Sequence, residues 1–178
     1  MEKKIDFDDK NHTLLVLLKH SRVHTPHYRH QAQGMGFKAK EELHITILGY
    51  KAGKIISEHI NANRELLEPR YIDAVNEFMM STHEYLERFI HISDDDEMRI
   101  IEKQYDDGLR KSLVYMIEPG EHHLKFHHKM EALFPGIERH LPIPHITIGV
   151  DGDHNGIGLT RHVWNNELTN NFRVSHPR

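Results

Sequence analysis

Apolar residues in this chain fall into short blocks separated by polar, histidine-rich stretches. Residues 12–19 (His-Thr-Leu-Leu-Val-Leu-Leu-Lys) are a brief apolar run between polar flanks, the pattern of a buried strand. Residues 42–50, 111–118 and 142–150 predict three further strands, and 87–93 with 97–103, split by Asp94-Asp95-Asp96, read as a hairpin. Helical spacing takes over from about Pro69 to Leu86, where Ile72, Val75, Phe78, Met79 and Tyr85 recur on one face. A second helix is expected after Pro119-Gly120, running to about Phe134 with Leu124, Met130 and Leu133 on its apolar side. Residues 51–67 are ambiguous, with Ile55, Ile56 and Ile60 at roughly helical spacing. Residues 20–41 hold Pro26, Gly34, Gly36, four His and scattered cations, which predicts a long polar loop of the kind that often serves as a lid or binding loop. The tail from Asp151 is polar and its structure is poorly signalled. With no linker in view, residues 1–178 are expected to form one α+β domain, mostly antiparallel, with helices packed outside the sheet.

Composition narrows the functional classes. The chain has 178 residues, 38% hydrophobic and 28% charged, which is enough apolar material for a core and excludes a disordered chain. The longest apolar run, Leu14 to Leu18, is far short of the ~20 residues that span a bilayer. The first residues carry no apolar leader core, so no secretory signal is read and a cytoplasmic address is expected. Zero cysteines exclude a disulfide scaffold, a Cys-ligated zinc site, an iron–sulfur cluster and a thiol nucleophile. A net charge of −4 and a pI near 6.5 leave no global basic field for long nucleic acid, though a small ligand with one or two phosphates is compatible. A monomer is expected.

Two segments repeat: Leu43-His44-Ile45-Thr46-Ile47-Leu48-Gly49 and Pro144-His145-Ile146-Thr147-Ile148-Gly149. With 18 His in the chain, a bare His-x-Thr arises about once by chance, so the bare pattern decides nothing. An identical His-Ile-Thr-Ile, twice inside an apolar strand and twice followed closely by Gly, is a different matter. In a strand, His44 and Thr46 point one way and Ile45 and Ile47 the other, so the isoleucines anchor the strand while the His and Thr are presented together. Two such strands across a cleft suit displacement at a phosphodiester. Attack is in line, so one imidazole takes a proton from the nucleophile while the other gives one to the departing oxygen. Imidazole, with an ordinary pKa near ~6.5, serves either role near neutral pH. The two Thr hydroxyls can hydrogen-bond the non-bridging oxygens, and no metal or other cofactor is required.

Paired His-x-Thr-x motifs on strands, about a hundred residues apart in a chain of this size, resemble the 2H phosphoesterase superfamily, which includes 2′-5′ RNA ligase-like proteins and cyclic nucleotide phosphodiesterases. The resemblance implies two pseudo-symmetric α+β lobes around a central cleft, with His44, Thr46, His145 and Thr147 as the catalytic set. It also implies metal-independent opening of 2′,3′-cyclic or related cyclic phosphates, or cleavage and joining of 2′-5′ linkages, at a nucleotide or RNA end. Members often place a basic residue just after the second motif, whereas Val150-Asp151-Gly152-Asp153 follows here. Lys38 and Lys40, or Arg110 or Lys111, are the candidate phosphate cations, and Tyr50 and Tyr115 are candidates to stack on a base.

Other histidines offer competing readings. His91-Ile92-Ser93 is a near-match, but three aspartates follow it and would repel a phosphate. His123 and His127, at i and i+4 beside His122 and His128, have chelating spacing but no intervening glutamate, so a polar helix face is expected. Asp151-Gly-Asp153-His-Asn155-Gly156 opens like a calcium loop yet has His162 at the twelfth position, and is read as a turn. The alternatives to a phosphodiesterase are a non-catalytic nucleotide- or RNA-binding module on the same fold, and a His-rich metal-binding protein.

Overall fold

Strand alternation orders the core. In β2 (Thr13–Leu18) it buries Leu14, Val16 and Leu18, and in β4 (Leu43–Leu48) Leu43, Ile45 and Ile47. Ile146 and Ile148 of β7 (His145–Val150) and Leu113 and Tyr115 of β6 (Gly108–Met116) continue the same apolar layer. The computed structural model describes residues 5–18, 25–81, 98–165 and 172–177. With β1 (Ile5–Asp8), β5 (Met98–Tyr105) and β8 (Phe172–Ser175), these strands form an open antiparallel sheet in the order β1-β2-β4-β7-β6-β5-β8. The short β3 (Lys38–Ala39) adds to β7 off that path.

Four of the helices cover one face. Tyr28 and Ala32 of α1 (Thr25–Gly34), Ile56 and Ile60 of α2 (Tyr50–Ala62), Tyr71, Val75 and Phe78 of α3 (Arg64–Met80), and Phe126 and Met130 of α4 (Glu121–Leu133) all join the apolar layer of the strands. The opposite face carries a smaller cluster of Ile101, Val114, Ile157, Leu159 and Phe172. Its outer part is the stretch after β7, which turns back over the sheet. Ile157 N–H donates to Ser112 Oγ (3.0 Å), Ile143 N–H to the Leu159 carbonyl (2.9 Å) and Arg161 N–H to the Leu141 carbonyl (3.1 Å). The short helix α5 (Arg161–Asn165) follows. Among the described residues no helix is long and apolar enough to cross a membrane.

Several sequence expectations are corrected. The loop expected over 20–41 contains α1, a polar helix whose Tyr28 and Ala32 are buried among its described side chains. Gly149 admits it, since a Cβ there would lie 2.9 Å from Phe37 Cβ and 3.1 Å from Ala32 Cβ. The ambiguous 51–67 stretch is α2 and the start of α3, which begins five residues before Pro69 and carries that proline inside it. The strand expected at 97–103 is β5, but its hairpin partner is β6, through Tyr105 and Gly108. The expected strand 87–93, with the His91-Ile92-Ser93 motif and Asp94 to Asp96, lies outside the described residues. In α4 the inward face is His123, Phe126, His127 and Met130, an i, i+3, i+4, i+7 stripe, while Leu124 is exposed.

His123 and His127 are therefore core residues rather than a polar face. His127 Nε2–H donates to the Ile47 carbonyl (3.0 Å), and His123 Nε2 accepts at 3.1 Å from the same nitrogen. Burial pushes both imidazoles down from 6.5, His123 to about 2 and His127 to about 4. A folded-state pKa below the unfolded one means the unfolded chain binds more protons, so this contribution is complete above pH ~6.5 and lost as pH falls. The urea midpoint should drop steadily from pH 7 to 4.5. The double variant His123→Leu/His127→Met should be less stable at pH 7, having orphaned the Ile47 carbonyl at a cost of about 1–3 kcal/mol. Its remaining pH slope should be shallower, carried by His12, His44, His140 and His145, whose pKa values burial also lowers.

Candidate functional site

The motif strands β4 and β7 meet at one registered pair, Ile45 with Ile146. Carried one residue either way, that antiparallel pairing sets Thr147 opposite His44 and His145 opposite Thr46. The imidazoles then fall on the diagonal, where Cα atoms of antiparallel neighbours stand about 7–8 Å apart. Because the isoleucines face the helices, the two His and two Thr face the other way. There they line one cavity of about 360 Å³. Gly49, Tyr50 and Lys51 at the start of α2, Lys103 and Tyr105 of β5, His140 of a 3-10 turn (Glu138–His140), and the returning segment from Asn155 to Thr160 complete its walls.

His145 is buried, and its Nδ1–H donates to the Ile143 carbonyl at 2.7 Å. A carbonyl can only accept, so the neutral ring carries its proton on Nδ1 and keeps Nε2 as the free lone pair. Burial pushes its pKa below the ordinary value, the Ile143 bond opposes this, and nearby His44 adds to the lowering. His44 is half-buried, and its pKa too is lowered, by burial and then by Lys40, with Glu42 opposing. Gly156 is needed where the returning segment crosses Thr147. Its φ is +104°, and a Cβ there would lie 3.3 Å from Thr147 Oγ1.

No Asp or Glu lines the cavity among the described residues, although the chain carries 27 of them. The cations that do line it, Lys51 and Lys103 with His140 beside them, were not among the sequence candidates. Lys103 shares the face of buried Ile101 by strand parity, a signal present in the residues. Lys51 sat in the ambiguous segment and His140 in an irregular turn. Lys38 and Lys40 instead border a neighbouring groove that shares His44 and Asn155 with the cavity, and Lys38 is tied to Asp153 at 2.7 Å. Arg110 pairs with Asp107 and stacks on Tyr105, and Lys111 pairs with Glu102. Tyr50 lines the cavity and is 70% exposed. Tyr115 cannot stack on a ligand, for it is buried on the helix side against Tyr28.

The Asp151 to Gly156 segment is a turn stitched internally. Asp151 Oδ1 accepts from Lys111 N–H and His154 Nε2–H, and Asp153 is held by Lys38. Among the described residues no group of three or more His, Asp or Glu is placed to hold a metal ion. Comparison with protein-family models, with curated proteins and with solved structures found no match to this chain.

Nitrogen-detected NMR of the imidazoles should find neutral His145 as the Nδ1–H tautomer. Both His145 and His44 should titrate below pH ~6.5. A His145 proton on Nε2 would contradict the geometry.

Proposed function

We propose that the protein is a phosphodiesterase that opens a cyclic 2′,3′- or related phosphate, or cleaves a 2′-5′ linkage, on a nucleotide or RNA end by two-histidine acid–base catalysis. The observation that carries this reading is the gathering of His44, Thr46, His145 and Thr147 on the wall of one cavity without carboxylates. The resemblance of the two His-Ile-Thr-Ile segments to 2H phosphoesterases supports it. On this reading the sheet divides at the Ile45–Ile146 pair into two lobes, with the cavity over the face that the motif strands share.

His145 is the base, because its Nε2 lone pair is fixed by the Ile143 bond and its burial favours the neutral ring. It takes a proton from water as the water oxygen bonds to phosphorus. The opposite phosphorus–oxygen bond breaks, and His44 gives its proton to the departing ribose oxygen. Negative charge growing on the non-bridging oxygens is met by the Thr46 and Thr147 hydroxyls. Proton exchange with solvent restores both imidazoles.

Replacing either His44 or His145 with Ala should lower turnover on a 2′,3′-cyclic nucleotide by about 10²–10⁴-fold, the worth of one general acid or base. His128→Ala, on the exposed side of α4, should leave it intact. The profile of kcat/KM against pH reports the free protein, where both imidazoles are held low, so its bell should peak on the acid side of ~6.5. Activity should survive a chelator. Turnover lost in chelator and restored by zinc or magnesium would overturn the mechanism. Tight nucleotide binding with no turnover of cyclic phosphates or 2′-5′ oligonucleotides would make the protein a binding module instead.

A further inference from the structure

Lys51 and Lys103 enter the cavity from elements other than the motif strands. Lys51 lies in the first turn of α2, and Lys103 lies on β5, which is two strands from β7. By register Lys103 pairs with Arg110 of β6, four residues beyond the Val114 that pairs with Thr147. Its backbone therefore stands about 10 Å to the side of Thr147 at ~4.8 Å per strand, and about 13 Å farther along the sheet at ~3.3 Å per residue. Its ammonium lies 5.0 Å from the ring centroid of Tyr105, another wall residue. Lys38, Lys111, Lys125 and Lys129 each have a carboxylate partner, but no described carboxylate forms an ion pair with Lys51 or Lys103. Burial, and then the nearby Lys51 charge, hold the Lys103 ammonium below its ordinary range. His140 beside them is lowered by burial and by Lys51.

Two like charges with an imidazole in a partly desolvated, carboxylate-free pocket repel one another. An anion between them would reverse the sign of that interaction. The scissile phosphate lies against the imidazoles and hydroxyls of the motifs, whereas Lys103 enters the same cavity from four residues farther along the sheet, where a different anionic group would meet it. We propose that Lys51 and Lys103 form a second phosphate subsite, and that the substrate is a nucleotide carrying another phosphate group besides the phosphodiester that reacts. This rests on the phosphodiesterase reading above for the identity of the first phosphate.

The test pairs binding with turnover. Calorimetry would compare a nucleoside 3′-monophosphate with the matching 3′,5′-bisphosphate on the wild-type chain and on Lys51→Gln, Lys103→Gln and Lys103→Arg. Turnover would compare a nucleoside 2′,3′-cyclic phosphate with and without a 5′-phosphate. One additional charge-assisted hydrogen bond should make the bisphosphate bind about tenfold tighter, and the advantage should shrink with added salt. The advantage should fall toward onefold in the two Gln variants and persist in Lys103→Arg, which separates lost charge from lost folding. An equal affinity for the two ligands in the wild type, or an advantage untouched by either Gln variant, would overturn the subsite. The two readings fail separately. Lysine-dependent preference without turnover removes the enzyme and keeps the subsite, whereas turnover without preference keeps the enzyme and removes the subsite.

Discussion

The pairing of Ile45 with Ile146 is the contact on which the rest of the arrangement depends, because it fixes both the register and the facing of the two motif strands. Side chains alternate with period two, so seating these isoleucines against the helices sends His44, Thr46, His145 and Thr147 together to the other face. A slip of one residue in either strand would exchange the faces, burying an imidazole and a hydroxyl among Val16, Phe78 and Phe126. The register is therefore held by the apolar layer. β4 is held from behind as well, where His127 donates to the carbonyl of Ile47. Beside it, β3 runs along the same edge of β7, with Lys40 N–H donating to the Ile148 carbonyl. From Lys40 to Ile45 the chain advances five residues while β7 advances two, from Ile148 to Ile146. The three extra residues bow outward, and the groove containing Glu41 and Glu42 opens there against His44.

Two kinds of buried histidine result, and their environments give them different work. His123 and His127 have each other and a backbone carbonyl, are closed on all sides, and act as core residues that happen to titrate. His145 is as deeply placed, but one nitrogen is satisfied by Ile143 and the other faces a cavity that a ligand can enter. The same desolvation that makes the first pair a source of acid instability keeps the His145 ring neutral, with its Nε2 lone pair turned to the cavity.

The motif strands were legible because they combine period-two alternation with an exact repeat. The α4 face was hidden because two of its four inward positions are His123 and His127, which hydropathy counts as polar although paired imidazoles bury well. α1 was hidden for a related reason. Its Tyr28 and Ala32 are too few to mark a period, and its place depends on the absent side chain of Gly149, far along the chain. The cationic wall was only half concealed. Lys103 follows Ile101 on one face of a strand that was expected, but the partner strand was misplaced, so which face met a cavity could not be read. Ile157 and Leu159 do alternate around Gly158, yet two apolar residues in a polar tail are a weak signal until Ser112 and the Leu141 to Ile143 backbone show what pins them.

That tail does more than complete a cluster. By crossing Thr147 at Gly156 and lying over the sheet through Ile157 and Leu159, it turns an open face of β4 and β7 into a walled cavity. Walling excludes water from around His145 and Lys103, and both pKa values move in the direction that loss of hydration dictates for a cation. The same loss strengthens every charge interaction with what enters, since Coulomb energy scales inversely with the local dielectric. A protein of net charge −4 can thus present a cationic interior, because no described carboxylate lines the cavity while Lys51, Lys103, His44, His140 and His145 do. On the phosphodiesterase reading, discrimination then comes from the enclosure, since a small phosphate ester that fits inside meets charge with less water to screen it, whereas a long phosphate backbone meets a chain of net charge −4.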